Sequence, residues 1–173
     1  MAIHGVVRTD NMLYTDARSG LVSIKFMGSN GSTPTDIDNG NVLKVGALMG
    51  DSTNGYEREI FVGAVPAASD NLKDIVLIAS PEVRYDEKRA LQEFYNEAGK
   101  VCRGYRLHSG SIFSVTKAAL DGVSSPAIGN VVELKAGTKL NVAASATANS
   151  TQVGKIIAID VVNRNTYYVI LVA

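Results

Sequence analysis

The sequence predicts a mainly β protein: small β-barrel or sandwich units built from antiparallel hairpins, with one short α-helix near residues 86–98. Three observations lead there. Val, Ile and Thr are abundant, Gly is high at 16 residues, Pro is low at 4 and Trp is absent, a mixture that favours short strands joined by tight turns. Apolar or alternating runs recur between turns containing Gly and Asn, which is the spacing of an all-β chain. The C-terminal third then reads as two successive hairpins.

Residues 1–20 are mixed and turn-rich, with an apolar patch over 3–7. Leu21, Ser23 and Lys25 alternate with Val22, Ile24 and Phe26, the period-2 pattern of a half-buried strand. The stretch 28–35, GSNGSTPT, contains nothing apolar and predicts a loop. It would hinge an N-terminal arm or hairpin of residues 1–37. Strands are expected over 42–48, 57–65 and 75–79, separated by GDSTNG at 50–55 and by residues 67–71. The helix would be capped by Asp86, carry Ala90, Leu91, Phe94 and Ala98 on one face and end at Gly99.

Beyond it, strands over 101–107 and 112–116 flank the turn His108-Ser109-Gly110, and 117–120 add a single helical turn. Strands over 131–134 and 139–143 flank Ala136-Gly137, a tight hairpin connection. Residues 145–152 form a small-residue loop. Strands over 155–162 and 166–172 then turn around Asn163-Arg164-Asn165. Both are almost continuously apolar, so both faces are expected to be buried, inside the barrel or against another subunit.

An internal repeat is expected too. Gly40-Asn41-Val42-Leu43 matches Gly129-Asn130-Val131-Val132, Val62-Gly63 matches Val153-Gly154, and the run 75–79 resembles 169–173. Two copies of a four-stranded unit on either side of the helix would produce this. The organisation that follows is an arm over 1–37, a first β unit with the helix over 38–126 and a C-terminal β unit over 127–173, in one compact domain.

At 173 residues, folding should bury about 70% of the surface of the unfolded chain, so no staple is required. Lys plus Arg and Asp plus Glu are equal at 17 each. A nucleic-acid binder ordinarily carries a basic excess, so none is expected as a partner, and neutrality suits a protein that packs against copies of itself. The single Cys102 allows no intrachain disulfide and no cysteine zinc site. The opening MAIHGVVRTDNML has no apolar signal core, and no apolar run reaches the ~18 residues of a membrane span. Synthesis in a cytoplasm and no membrane partner are the expectations.

Catalytic groups are few. His4 and His108 are the only histidines, without metal-ligand spacing. His108 lies in LHSGS, but the Gly-x-Ser-x-Gly elbow is missing, and a turn histidine with its ring in solvent is expected. Val153-Gly154-Lys155-Ile156 has neither the earlier Gly nor the following hydroxyl of a phosphate loop. Asp36-Ile37-Asp38-Asn39-Gly40 resembles half a calcium loop, with its Gly one position early and no closing Glu. The basic residues around the helix are interleaved with acids, which describes a solvated surface. Cys102 reads as a small buried core residue. No catalytic residue, metal ligand or cofactor is expected.

Two segments carry a likeness. The run SPEVRYDEKRALQEFYNEAGKVCRGYRLHSGSIFSVTKAAL, residues 80–120, and the closing pattern IGNVVELKAGTKL…VGKIIAIDV…TYYVILVA within 128–173 resemble tailed-bacteriophage head decoration, or capsid cement, proteins. The resemblance implies a β-rich, non-catalytic virion subunit that binds the outer surface of an expanded capsid as an oligomer, a dimer or trimer, with the major capsid protein as partner. Similar hairpins occur in tail-tube and head-fibre base subunits, which stay open as alternatives. A ligand- or glycan-binding β module, with loops at Asn30 and Ser145 forming the site, is a rival that the 6% aromatic content disfavours. In the decoration role an exposed arm could add a strand to a capsid-protein sheet. The candidate assembly contacts are Ile3, Val6, Arg8, Met12, Leu13, Tyr14 and Arg18; alternatively, these residues complete the protein's own sheet.

Overall fold

A computed structural model describes residues 4–5, 7–8, 20–50, 59–82, 93–162 and 164–173. Twelve strands are found among them: β1 (Val7–Arg8), β2 (Leu21–Phe26), β3 (Val42–Leu48), β4 (Phe61–Ala64), β5 (Ile75–Ile78), β6 (Cys102–Arg106), β7 (Ile112–Thr116), β8 (Leu120–Gly122), β9 (Val131–Glu133), β10 (Leu140–Ala143), β11 (Gln152–Val162) and β12 (Asn165–Val172). They form a closed barrel in the order β2-β4-β3-β5-β6 and a curled seven-stranded sheet in the order β1-β7-β12-β11-β9-β10-β8. The expected fold class is therefore found.

The alternation of side chains in β3 and β5 joins the two bodies. Leu43, Val76 and Ile78 point into the barrel with Val22, Ile24, Phe26, Ile37 and Cys102. Their neighbours Val42, Ile75 and Leu77 point the other way, into the core lined by Phe113, Val132, Leu140, Val153, Ile156 and Ile170 of the curled sheet. All four residues of β5 are fully buried, which explains its unbroken Ile-Val-Leu-Ile run: both faces are core. Backbone bonds reinforce the joint, from Val42 N to Thr138 O at 2.7 Å and from Thr151 N to Ala68 O at 2.7 Å.

The repeat exists, and it is five strands long. In the barrel β2 runs parallel to β4, which pairs in turn with β3, β5 and β6 along an antiparallel series. In the curled sheet β8 runs parallel to β10, followed antiparallel by β9, β11 and β12. The entry turns match down to single bonds. Gly40 and Gly129 have φ of 86° and 91°, in the left-handed region that glycine alone enters freely. Gly40 N donates to Ile78 O and Ile78 N to Asn41 O; Gly129 N donates to Ile156 O and Ile156 N to Asn130 O. The Gly40/Gly129 match is thus correct. The other two matches are displaced by one strand, because they set β4 against β11 and β5 against β12. Valine-rich strands look alike, and only pairing partners identify them.

Three local expectations change. The C-terminal half of the expected helix is not helical: Asn96 forms a β-bridge with Ile37, and only Glu93 carries a helical (3-10) assignment over 93–98. The first half, 86–92, lies outside the described residues. The Asn96 amide explains the difference. It is buried and donates to Ile37 O and Asn39 Oδ1, both at 3.1 Å, partners that a solvated helix face cannot offer. The connection around Ala136-Gly137 is a six-residue loop over 134–139, not a tight turn, held by Val42 N on Thr138 O. Finally, the β11–β12 hairpin is not buried on both faces. Val153, Ile156, Ile170 and Val172 at its base are core, whereas Ile157, Ile159, Val161 and Val162 are exposed. The single helical turn expected over 117–120 is present as a 3-10 turn at Lys117–Ala119.

Candidate functional site

The N-terminal segment is the first place to look, because assembly contacts were expected there. Of those seven residues only Arg8 is described, and its backbone belongs to β1, opposite Ser114 of β7. Ile3, Val6, Met12, Leu13, Tyr14 and Arg18 lie outside the described residues. Next to Arg8, Val7 is buried opposite Val115. Gly5 sits so close to the barrel that an added Cβ would lie 2.6 Å from Asn39 O and 3.2 Å from Ala119 Cβ. His4 Nδ1 lies 2.9 Å from Asp38 Oδ1, and Gly5 N donates to Asp38 Oδ2 at 3.2 Å. The His4 ring stacks on Tyr95 with centroids 5.1 Å apart. Residues 4–5 and 7–8 therefore tie the barrel to the curled sheet, using the His4–Asp38 and Gly5–Asp38 hydrogen bonds, a ring contact and two sheet residues.

The acidic turn at 36–40 serves the fold. Asp36 Oδ1 accepts from Ala98 N at 2.6 Å, Asp38 holds His4 and Gly5, and the Asn39 amide bonds Ser80 N and Ser80 O at 3.0 and 2.9 Å. The three side chains diverge onto three different segments. No cluster of metal-ligating groups is found among the described residues.

Among the described residues the buried acid is Glu133 on β9, 1% exposed. Its carboxylate accepts from Asn141 Nδ2 at 2.8 Å, Thr147 N at 2.9 Å and Thr147 Oγ1 at 2.5 Å. Burial pushes its carboxyl up, but the Thr147 and Asn141 hydrogen bonds outweigh that and hold it below the ordinary glutamate value. The loop over 144–151 is pinned by this carboxylate. The loop at Asn30 is likewise organised by its own side chain, which accepts from Ser32 N and Thr33 N and donates to Thr33 Oγ1. The two loops considered for a ligand site thus turn these polar groups inward on themselves.

His108 is half-buried rather than free in solvent. With Leu72, Lys73, Asp74, Arg106, Leu107 and Ser109 it lines a cleft of about 500 Å³. Arg106 Nη1 donates to Lys73 O at 2.6 Å, which fixes one end of that guanidinium at the cleft wall. Cys102 is buried in the barrel, and burial pushes its thiol up to about 11, so it is a poor nucleophile.

Among the described residues, four of the eight exposed large hydrophobic side chains lie on the far half of the β11–β12 hairpin. Ile157, Ile159, Val161 and Val162 are exposed there, with Leu171 on β12 and Ile128 beside the base of β11. The signal for this site is present in the sequence as the nearly unbroken apolar run, which is compatible with burial inside the barrel and with burial against another subunit. What separates the readings is length: β11 has 11 residues where its counterpart β5 has 4. The additional turns of strand overshoot the core.

No protein-family model, curated protein or solved structure matches this chain.

Proposed function

We propose that the chain is a structural virion protein, a decoration or cement subunit that binds the outer surface of a tailed-bacteriophage head as a homo-oligomer and bridges neighbouring copies of the major capsid protein. The observation that supports this reading is the projecting apolar hairpin. Polar clusters at Asp36–Asn39, Asn30 and Glu133 hold the protein's own loops, while the longest hairpin presents Ile and Val to solvent. Exposed apolar side chains gathered on one projecting element, rather than scattered singly, suit a protein contact. The likeness of residues 80–120 and 128–173 to head decoration proteins points the same way.

In this role no residue acts in catalysis. Affinity comes from several modest contacts made at once, since an oligomer gripping several capsid subunits gains avidity without any strong single contact. Purified protein mixed with empty expanded heads should occupy the surface at near-stoichiometric levels and raise the melting temperature of the heads. Self-assembly into rings or tubes without head binding would replace this reading by the tail-tube one.

A further inference from the structure

We infer that Asn30-Gly31 is a self-modification site, at which the native loop over 28–35 converts the Asn30 side-chain amide to aspartate and isoaspartate. The two Asn-Gly pairs among the described residues stand in opposite surroundings. Asn39 is buried; its Oδ1 accepts from Ser80 N at 3.0 Å and Asn96 Nδ2 at 3.1 Å, and its Nδ2 donates to Ser80 O at 2.9 Å. Gly40 N is tied to Ile78 O at 2.7 Å. Asn30 and Gly31 are both exposed, and Gly31 N makes a long bond of 3.3 Å to Gly28 O. Gly31 has no side chain to shield that nitrogen, and nothing lies within 4 Å of the place a Cβ would take. Water and hydroxide therefore reach the first pair and not the second.

The contacts of the Asn30 side chain match the charge changes of the reaction. Gly31 N gives its proton to hydroxide or another solvent base and attacks Asn30 Cγ, so the C=O bond opens and negative charge collects on Oδ1. That oxygen already accepts from Ser32 N at 3.1 Å and Thr33 N at 3.0 Å, fixed donors of the kind that stabilise an oxyanion. As the C=O bond reforms, the Cγ–Nδ2 bond breaks and Nδ2 takes a proton from solvent and leaves as ammonia. Thr33 Oγ1 lies 2.9 Å from Nδ2, and a hydroxyl both accepts from the amide and donates to the departing nitrogen. The cyclic imide then takes up one water and opens at either carbonyl, giving aspartate or isoaspartate. One water is consumed, one ammonia is released, and nothing is oxidised or reduced. The new carboxylate takes the formal charge from zero to minus one. Isoaspartate also puts a side-chain carbon into the main chain and lengthens the loop that leads from β2 to the acidic turn at 36–40. The exposed pair thus ages in the native state, while the clamped pair at Asn39 does not.

The folded full chain, held at pH 8 and sampled over time by peptide mapping and isoelectric focusing, tests this. The Asn30 peptide should convert to a mixture of aspartate and isoaspartate about tenfold faster than the Asn39 peptide, or more, with an acidic species appearing in step. Asn54-Gly55 lies outside the described residues and is read separately on its own peptide. Thr33→Val removes the hydroxyl beside Nδ2 and should slow Asn30 by about threefold or more. Its melting temperature should be unchanged, since Thr33 is exposed, which separates the loss of a participating group from misfolding. Asn30 staying an amide in the folded protein while a free peptide of the same loop converts would overturn the proposal, because the side-chain hydrogen bonds would then hold the amide still. Equal rates at Asn30 and Asn39, or a rate indifferent to Thr33→Val, would overturn it as well.

Discussion

The same five-strand order occurs twice in this molecule, closed in one copy and open in the other. In the barrel, β6 returns to β2 over four residue pairs from Leu21/Tyr105 to Ile24/Cys102 and seals the cylinder. In the second copy the corresponding strands β12 and β8 do not meet. Instead β12 takes β7 as its neighbour, and β7 takes β1. The open copy consequently has a gap in its wall, which is filled by Val42, Ile75 and Leu77 from outside the barrel. A closed unit keeps its core to itself; an open unit must borrow one. The long β11 and β12 follow from the same difference, since no barrel closure limits their length.

Cavity-forming substitutions test that contrast most strongly. Phe113→Ala, at the centre of the open copy, should remove about 3–5 kcal/mol of stability, and Ile24→Ala, inside the barrel, about 2–5 kcal/mol. Because β5 is core on both faces, urea unfolding of either variant should stay a single transition by circular dichroism and by tyrosine fluorescence. A separate early step in Ile24→Ala would show that the barrel melts alone and that the borrowed core does not couple the copies.

The N-terminal segment, residues 4–5 and 7–8, a plug wedged between the barrel and β7, comes next. Gly5→Val places a side chain against Asn39 O and Ala119 and should displace β1, at about 1–3 kcal/mol. Hydrogen exchange should then rise at β7, around Ser114 and Val115, while β2 and β6 stay protected. Equal loss of protection in the barrel would break the comparison.

Glu133 gives the open copy a pH dependence. Its folded-state value is lowered, so its stabilisation is complete above the ordinary glutamate value and is lost as pH falls through the lower folded one. Glu133→Gln should reduce stability by about 1–3 kcal/mol at pH 7 and flatten the loss of melting temperature between pH 5 and pH 3, relative to wild type. The smallest effect concerns the closed copy. Cys102, with its thiol raised to about 11, should react with a thiol reagent at pH 8 only at the rate of unfolding, and an immediate reaction would show the barrel to be leaky.

Strand positions were readable because alternation and turn residues are local. Val22, Ile24 and Phe26 announce β2, and Gly40 and Gly129 announce the entry turns. Order and closure were not readable, since nothing in residues 61–64 says that β4 will lie parallel to β2. The Asn96 segment failed as a helix because tertiary hydrogen bonds from a buried amide override propensity. The apolar run of β11 was ambiguous in a different way. Hydrophobicity says that a strand seeks cover, but only the length of the neighbouring strands says whether the cover is internal. The strands β1 and β8, of two and three residues, are too short to leave any pattern.

The plug also gives the molecule a timetable. All five strands of the barrel lie within residues 21–106, but Val42, Ile75 and Leu77 on its outer side find their cover only in strands made later. Val7 and Arg8 precede the barrel in the chain, yet β7, which receives them, is made only after the whole barrel. Val7 and Arg8 can therefore pair with β7 only after the whole barrel segment has been made, a contact that spans more than a hundred residues of chain.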